Sequence, residues 1–242
     1  MSINSLVLGH DAFALLQNWQ SVAAIIDHNL LSPSASSREI LSLCDEAKHY
    51  GFHAVMVNPT WVALAAAQVH GTAVKVGTVV GFPLGANLTI TKMAEAEAAA
   101  LNGAHELDAV MNIGALKSGD RVLVQTEMRS LAQLAHEHGA ILKVIIETAL
   151  LSQEEIILSC ALAAEAGADF VKTSTGFAAA GATAANVAIM RGVVGFDIGV
   201  KAAGGIRSAA QVTELVEAGA NRIGCSASVA VVREFGAAAD LL

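Results

Sequence analysis

One arrangement of apolar and polar positions recurs along this chain. An alanine-rich segment with helical spacing runs into a glycine, and a short run of branched apolar residues follows. The arrangement stands in AKHYGFHAVMV, AEAAALNGAHELDAVM, LAHEHGAILKVII, AAEAGADFVKTS and LVEAGANRIGCS, with Gly51, Gly103, Gly139, Gly167 and Gly219 at the junctions. A glycine just past a helix end accepts the left-handed conformation that closes the last turn. The runs that follow are apolar almost without interruption, as in strands buried on both faces of a parallel sheet. Counted this way, the pattern predicts eight strands, near 22–28, 54–58, 74–80, 106–112, 142–148, 170–174, 198–202 and 222–225, with a short extra helix near His10–Trp19 ahead of the first. Alternating β and α elements predict a parallel sheet, and eight units predict closure into a (β/α)8 TIM barrel. An open doubly wound sheet is the alternative.

The length of 242 residues agrees with a single barrel domain spanning 1–242, since such barrels run to roughly 250 residues. No shift of composition marks a boundary, and the chain has only three prolines. Apolar residues make up 54% and aromatics 4%, a mixture of small and branched side chains suited to close helix–strand packing. The apolar content also predicts a homo-oligomer, a dimer in the simplest case. Net charge is −8 without any basic run, which argues against a nucleic-acid partner. An anionic substrate must then be met by local cations and backbone amides working against the overall field. Cys44, Cys160 and Cys225 form no CxxC pair, so a reducing, cytoplasmic setting is expected. No basic region followed by an apolar run opens the chain, and no apolar stretch reaches roughly 20 residues, so a soluble protein without a membrane partner is expected.

Charge inside the apolar runs changes the picture. Lysine is almost never fully buried unless paired, yet Lys75, Lys143, Lys172 and Lys201, four of the seven lysines, fall inside strand-like segments, as do Asp27, Glu106, Asp108 and Glu147. Lys75, Lys143, Glu106 and Glu147 read as ion pairs filling the interior. Lys172 in DFVKTSTG and Lys201 in GVKAAGG differ, because each lies near the C-terminal end of its run, the end at which barrels carry their active sites. Two inward ammonium groups on neighbouring strands disfavour charge on each other, and burial pushes the same way. A lysine so depressed offers a free amine, which can attack a carbonyl to form a Schiff base. Asp108, at a similar height across the barrel, can keep one lysine charged and move protons. The eight histidines show no ligand spacing and read as surface residues, so neither metal nor cofactor is expected.

Two glycine-bearing turns follow the last two strands: Ala203-Gly204-Gly205-Ile206-Arg207-Ser208 and Gly224-Cys225-Ser226-Ala227-Ser228. Glycines let backbone amides approach a ligand, helix starts favour anions, and barrels often hold phosphate with these loops. The turn Thr173-Ser174-Thr175-Gly176 can add donors. Ordinary helix capping by Ser208 and Ser226 explains the same residues without a ligand.

The segments IDHNLLSP, VNPTWV, KVGTVVGFPLGAN, ELDAVMNIGALKSGD, LKVIIETALL, DFVKTSTGF, VKAAGGIR and RIGCSAS, in this order, resemble the deoxyribose-phosphate aldolase family of class I aldolases. The resemblance covers Ile26 to about Val232. It implies reversible aldol cleavage of 2-deoxy-D-ribose 5-phosphate to D-glyceraldehyde 3-phosphate and acetaldehyde. It further implies Lys172 as Schiff-base nucleophile, Lys201 and Asp108 as its proton-moving partners, and Asp27 and Thr173 in support. Phosphate is implied to meet Gly176, Gly204, Gly205, Arg207, Gly224 and Ser226. Phe177 and Ala227 depart from residues frequent in the family, Lys and Ser. Another phosphate-binding barrel lyase or isomerase, and a barrel that binds without catalysis, remain as alternatives.

Overall fold

The structure, a computed structural model, describes residue 16 and residues 18–236. The helix expected near His10–Trp19 lies almost wholly outside these. The strands are β1 (Ile26–Leu30), β2 (Ala54–Val57), β3 (Lys75–Val80), β4 (Glu106–Val110), β5 (Ile141–Ile145), β6 (Phe170–Lys172), β7 (Gly199–Ala203) and β8 (Arg222–Cys225). All pair in parallel with their sequence neighbours, and β8 returns to β1 through Ile26↔Ile223, Asp27↔Gly224 and His28↔Cys225, so the barrel is closed. The helices are α1 (Trp19–Ala23), α2 (Ser37–Tyr50), α3 (Val62–Val69), α4 (Thr89–Leu101), α5 (Ile113–Lys117), α6 (Arg121–Glu137), α7 (Gln153–Glu165), α8 (Ala184–Val194), α9 (Ala209–Glu217) and α10 (Ser228–Glu234).

Local chemistry explains the helix boundaries. The Ser36 side chain accepts from Glu39 N while the Glu39 carboxylate accepts from Ser36 N, and Ser152 with Glu155 repeats the arrangement at the start of α7. These reciprocal caps satisfy amides that a first turn leaves without partners. All five junction glycines take positive φ, between 68° and 112°. The apolar stripe of α2, Ile40, Leu43, Cys44 and Ala47, is buried against the sheet.

Several expectations need correction. β4 and β6 end two residues earlier than expected, at Val110 and Lys172. The run from Val22 does not start as a strand. Asn18 caps a short helix through Ser21 N, and β1 begins only at Ile26. β5 stops at Ile145, because Glu147 takes φ 56° and a 3-10 turn follows at Thr148–Leu150. Lys75 is exposed at the start of β3 and fills no interior space. Outside the barrel, Lys92 on α4 is fully buried, donating to Glu127 on α6 and to Val110 O at 2.5 and 2.9 Å. Among the described residues, no helix is long and apolar enough to cross a membrane.

Candidate active site

Strand alternation turns every second residue inward, and seven of the inward residues of this barrel carry charge. Toward the N-terminal ends of the strands, Arg222 on β8 donates to Asp27 at 2.9 Å and to Glu106 at 3.1 Å, with its guanidinium 5.2 Å over the Phe170 ring. His53, partly exposed, meets Glu106 at 2.9 Å. Above them Lys143 on β5 lies 2.6 Å from both Glu106 and Asp108. Highest in the network, Asp108 Oδ2 accepts from Lys172 at 2.7 Å and from Lys201 at 2.8 Å, and Lys201 also donates to Asp27 at 2.5 Å. Lys172 and Lys201 stand side by side in register on β6 and β7. Asp108 thus bridges both, as its position across the barrel suggests.

Four cations, Lys143, Lys172, Lys201 and Arg222, face three carboxylates, Asp27, Glu106 and Asp108, and all seven are buried. One positive charge is in surplus. Among the described residues, Lys143, Lys201 and Arg222 each touch two or more carboxylates, whereas Lys172 touches only Asp108. Lys172 is therefore the amine that gives up its proton most readily. Burial depresses its pKa, Asp108 opposes this, Lys201 and Lys143 reinforce it, and the value comes to about 8. Lys143 behaves oppositely: burial would lower it, but Asp108, Glu106 and Asp27 hold it above the usual lysine value. Burial would raise Asp108, but the three lysines together hold its carboxyl far below the usual range. Asp27, His53 and Glu106 bring three ligand atoms within 4.8 Å of one another. The carboxylates there already carry Arg222, Lys143 and Lys201, which oppose a metal ion with their own charge.

Above this cluster, at the C-terminal ends of the strands, opens a cavity of about 340 Å³. Gly176, Gly204, Gly205, Arg207, Gly224 and Ser226 all line it, which brings together the whole set expected to hold phosphate. The three lysines and Asp108 lie beneath and are not part of its lining. Gly224 has a second reason to be glycine: a Cβ there would stand 2.9 Å from Lys201 Cε. Capping accounts for Ser208, whose side chain accepts from Gln211 N, but not for Ser226. The N-cap position of α10 falls on Ala227, and no side chain caps that helix. Thr173 is buried below the cavity and exchanges hydrogen bonds of 3.1 Å with Ala203 N and O, tying β6 to β7.

Several contributors are not evident from residue pattern alone. Lys143 reads as interior filling but touches Asp108; the signal was there, since it stands opposite Asp108 on the adjacent strand. Among the described residues Glu147 pairs with no cation: it accepts from Thr175 N at 3.2 Å and from the Thr175 hydroxyl, holding one wall of the cavity. Gly181 packs against Gly204 so tightly that a Cβ would lie 2.0 Å from Gly204 O. Nor are all the histidines surface residues, for His28 is 3% exposed. Phe177 at the cavity wall meets Phe82 edge to face at 5.3 Å.

Fold and cluster are those of a (β/α)8-barrel enzyme equipped for amine chemistry. A model described as DeoC/LacD family aldolase matches residues 21–238. The chain is similar to a deoxyribose-phosphate aldolase of Aciduliprofundum boonei, 54% identical over 213 residues, which are 88% of this chain and 96% of that protein. It is similar to a deoxyribose-phosphate aldolase of Bacillus cytotoxicus, 50% identical over 212 residues, 88% and 95% of the two chains. Among solved structures, the tetrameric deoxyribose phosphate aldolase of Aeropyrum pernix superposes with a TM-score of 0.85 at 34% identity, covering 94% of this chain and 99% of that one. The chain belongs to the DeoC/LacD family of aldolases.

Proposed function

We propose that this enzyme cleaves 2-deoxy-D-ribose 5-phosphate reversibly to D-glyceraldehyde 3-phosphate and acetaldehyde, with Lys172 as the covalent nucleophile. The observation that carries this reading is the surplus cation: of the four clustered cations, Lys172 is the one with a single carboxylate partner among the described residues, and its pKa near 8 leaves roughly a tenth of molecules with a free amine at neutral pH. That amine adds to C1 of the open-chain aldehyde, and loss of water leaves an iminium. The C3 hydroxyl gives up its proton as the C2–C3 bond breaks. The bonding electrons pass to the iminium nitrogen, C3 becomes the aldehyde of glyceraldehyde 3-phosphate, and an enamine stays on Lys172. Protonation at C2 and addition of water release acetaldehyde and restore the amine.

Asp108 and Lys201 move these protons. Asp108, held ionised by its lysines, passes protons on without retaining them, and Asp27 fixes Lys201 beside the reacting nitrogen. The phosphate meets the glycine amides at 176, 204, 205 and 224, with the Ser226 hydroxyl and Arg207 at the cavity wall. Ser208 opens α9 next to Gly204-Gly205, and a helix start favours an anion. The iminium is the electron sink in this scheme, the part a divalent cation plays in metal-dependent aldolases.

We further propose that residues 1–242 work as one catalytic domain, in the cytoplasm, as a homo-oligomer with a dimer as its unit. The exposed apolar side chains of Leu84, Leu88 and Ile90, close together in sequence, support the oligomer. Light scattering of the purified protein reads that state.

The reaction is tested by borohydride reduction in the presence of acetaldehyde, which converts an imine to a stable secondary amine. Intact mass should gain one ethyl group, and peptide mapping should place it on Lys172. A label on Lys201 in the native enzyme would reverse the assignment. Lys172→Arg keeps bulk and charge but not the free amine, and turnover should fall by several orders of magnitude.

A further inference from the structure

We infer that His28 is a positioning residue for the anionic end of the substrate, acting through Ser228 on the turn after β8; this rests on the role assigned above to that turn. On β1, Asp27 faces into the barrel while His28 faces outward, toward the helices. The His28 ring lies against Phe52, with centroids 5.0 Å apart, and is buried. Its Nδ1 is 2.9 Å from Ser228 Oγ, and its Nε2 is 2.8 Å from Glu46 Oε2 on α2. Ser228 is fully buried and its hydroxyl donates to Cys225 O at 2.9 Å. One imidazole thus joins an outer helix, a barrel strand and the turn whose Gly224, Cys225 and Ser226 line the cavity. The next residue adds a parallel tie. The Asn29 carboxamide, oriented so that its nitrogen donates to Asp27 O at 3.0 Å, accepts from Cys225 N at 3.3 Å.

Packing alone does not explain this choice of residues. An apolar side chain at 28 would satisfy the contact with Phe52, whereas a buried imidazole and hydroxyl lose free energy unless each is paired. A fully paired polar network specifies one arrangement where apolar contact tolerates several. The turn needs such a reference. Ser226 is exposed, and no side chain caps the helix that follows. Its placement is set from behind, by Ser228 and Cys225 O.

The two ring nitrogens allow a test that separates positioning from bulk. Asparagine at 28 places an amide where Nδ1 stands and keeps the tie to Ser228. Glutamine reaches the place of Nε2 and keeps only the tie to Glu46. His28→Asn, His28→Gln and Ser228→Ala are compared for KM on 2-deoxyribose 5-phosphate, for acetaldehyde self-condensation, and for calorimetric Kd of inorganic phosphate. His28→Gln and Ser228→Ala should raise KM and the phosphate Kd about tenfold, keeping self-condensation within about twofold, and His28→Asn should stay near wild type. Equal behaviour of His28→Asn and His28→Gln overturns the proposal, as does loss of both reactions in step with a fall in Tm, the mark of a merely structural role. If His28→Gln does not fold, Ser228→Ala decides, and an unchanged KM and Kd there overturns it. A wild-type enzyme inactive on deoxyribose 5-phosphate would sink the functional reading instead, and the inorganic phosphate Kd would still decide on His28.

Discussion

At the scale of single residues, the site is governed by a count of charges and by which cation has fewest partners. Lys201→Leu tests this count. The substitution leaves three cations opposite three carboxylates and frees Asp108 Oδ2 to serve Lys172 alone. Both changes favour protonated Lys172, so its pKa must rise from about 8, and a higher pH is needed to free the amine. The rising limb of activity against pH should therefore move upward, together with a fall in the maximal rate; each unit of displacement corresponds to about 1.4 kcal/mol between the two protonation states. A variant with full rate and an unmoved limb would reduce Lys201 to a packing residue. The same count argues for Lys172 over Lys143 as the proposed nucleophile. It is as deeply buried as Lys172, but its carboxylate neighbours hold its proton more firmly.

At the scale of elements, eight strands, their order and their glycine junctions are legible in the sequence because each unit repeats one physical pattern. Strand ends are less so. VAAII has the composition of a strand, and only the cap supplied by Asn18 makes its start helical. IIET reads onward as β until the left-handed Glu147 ends it. The lysine pair, Asp108 and the glycine turns were readable because charge and glycine are conspicuous within apolar strands. The ties made by His28, Glu147 and Gly181 were not, since they depend on which loops meet in space. In the proposed scheme the turns after β7 and β8 serve the phosphate and not the reacting carbon. Ser226→Asp places a carboxylate at the cavity wall. KM for deoxyribose 5-phosphate should rise sharply, with some loss of kcat because remote binding energy also positions the reacting centre. Acetaldehyde self-condensation involves no phosphate and should persist. Equal loss of both reactions, in a preparation of confirmed native fold, would assign these turns to the catalytic centre itself.

At the scale of the whole molecule, two layers are tied by few but deeply buried polar links. Lys92→Met breaks one, leaving the Glu127 carboxylate without its cation and Val110 O without its donor. Removing one partner of a buried ion pair typically costs about 3–5 kcal/mol, so the unfolding midpoint in denaturant should fall by a corresponding amount. A change below about 1 kcal/mol, the ordinary worth of an exposed pair, would show that α4 and α6 hold together without it. Because the proposed electron sink is organic, dialysis against a strong chelator should leave the rate unchanged, and recovery on adding zinc after a loss would contradict the Schiff-base reading. The backbone contact between Gly181 and Gly204 has a consequence for anyone reshaping this cavity. The loop after β6 and the loop after β7 meet there without a side chain between them, and Ala182 N donates to Ala203 O and Gly204 O. Neither can be lengthened, shuffled or replaced from a donor scaffold by itself. They are one interchangeable cassette with two chain segments, and a graft that moves only one of them has to rebuild the seam.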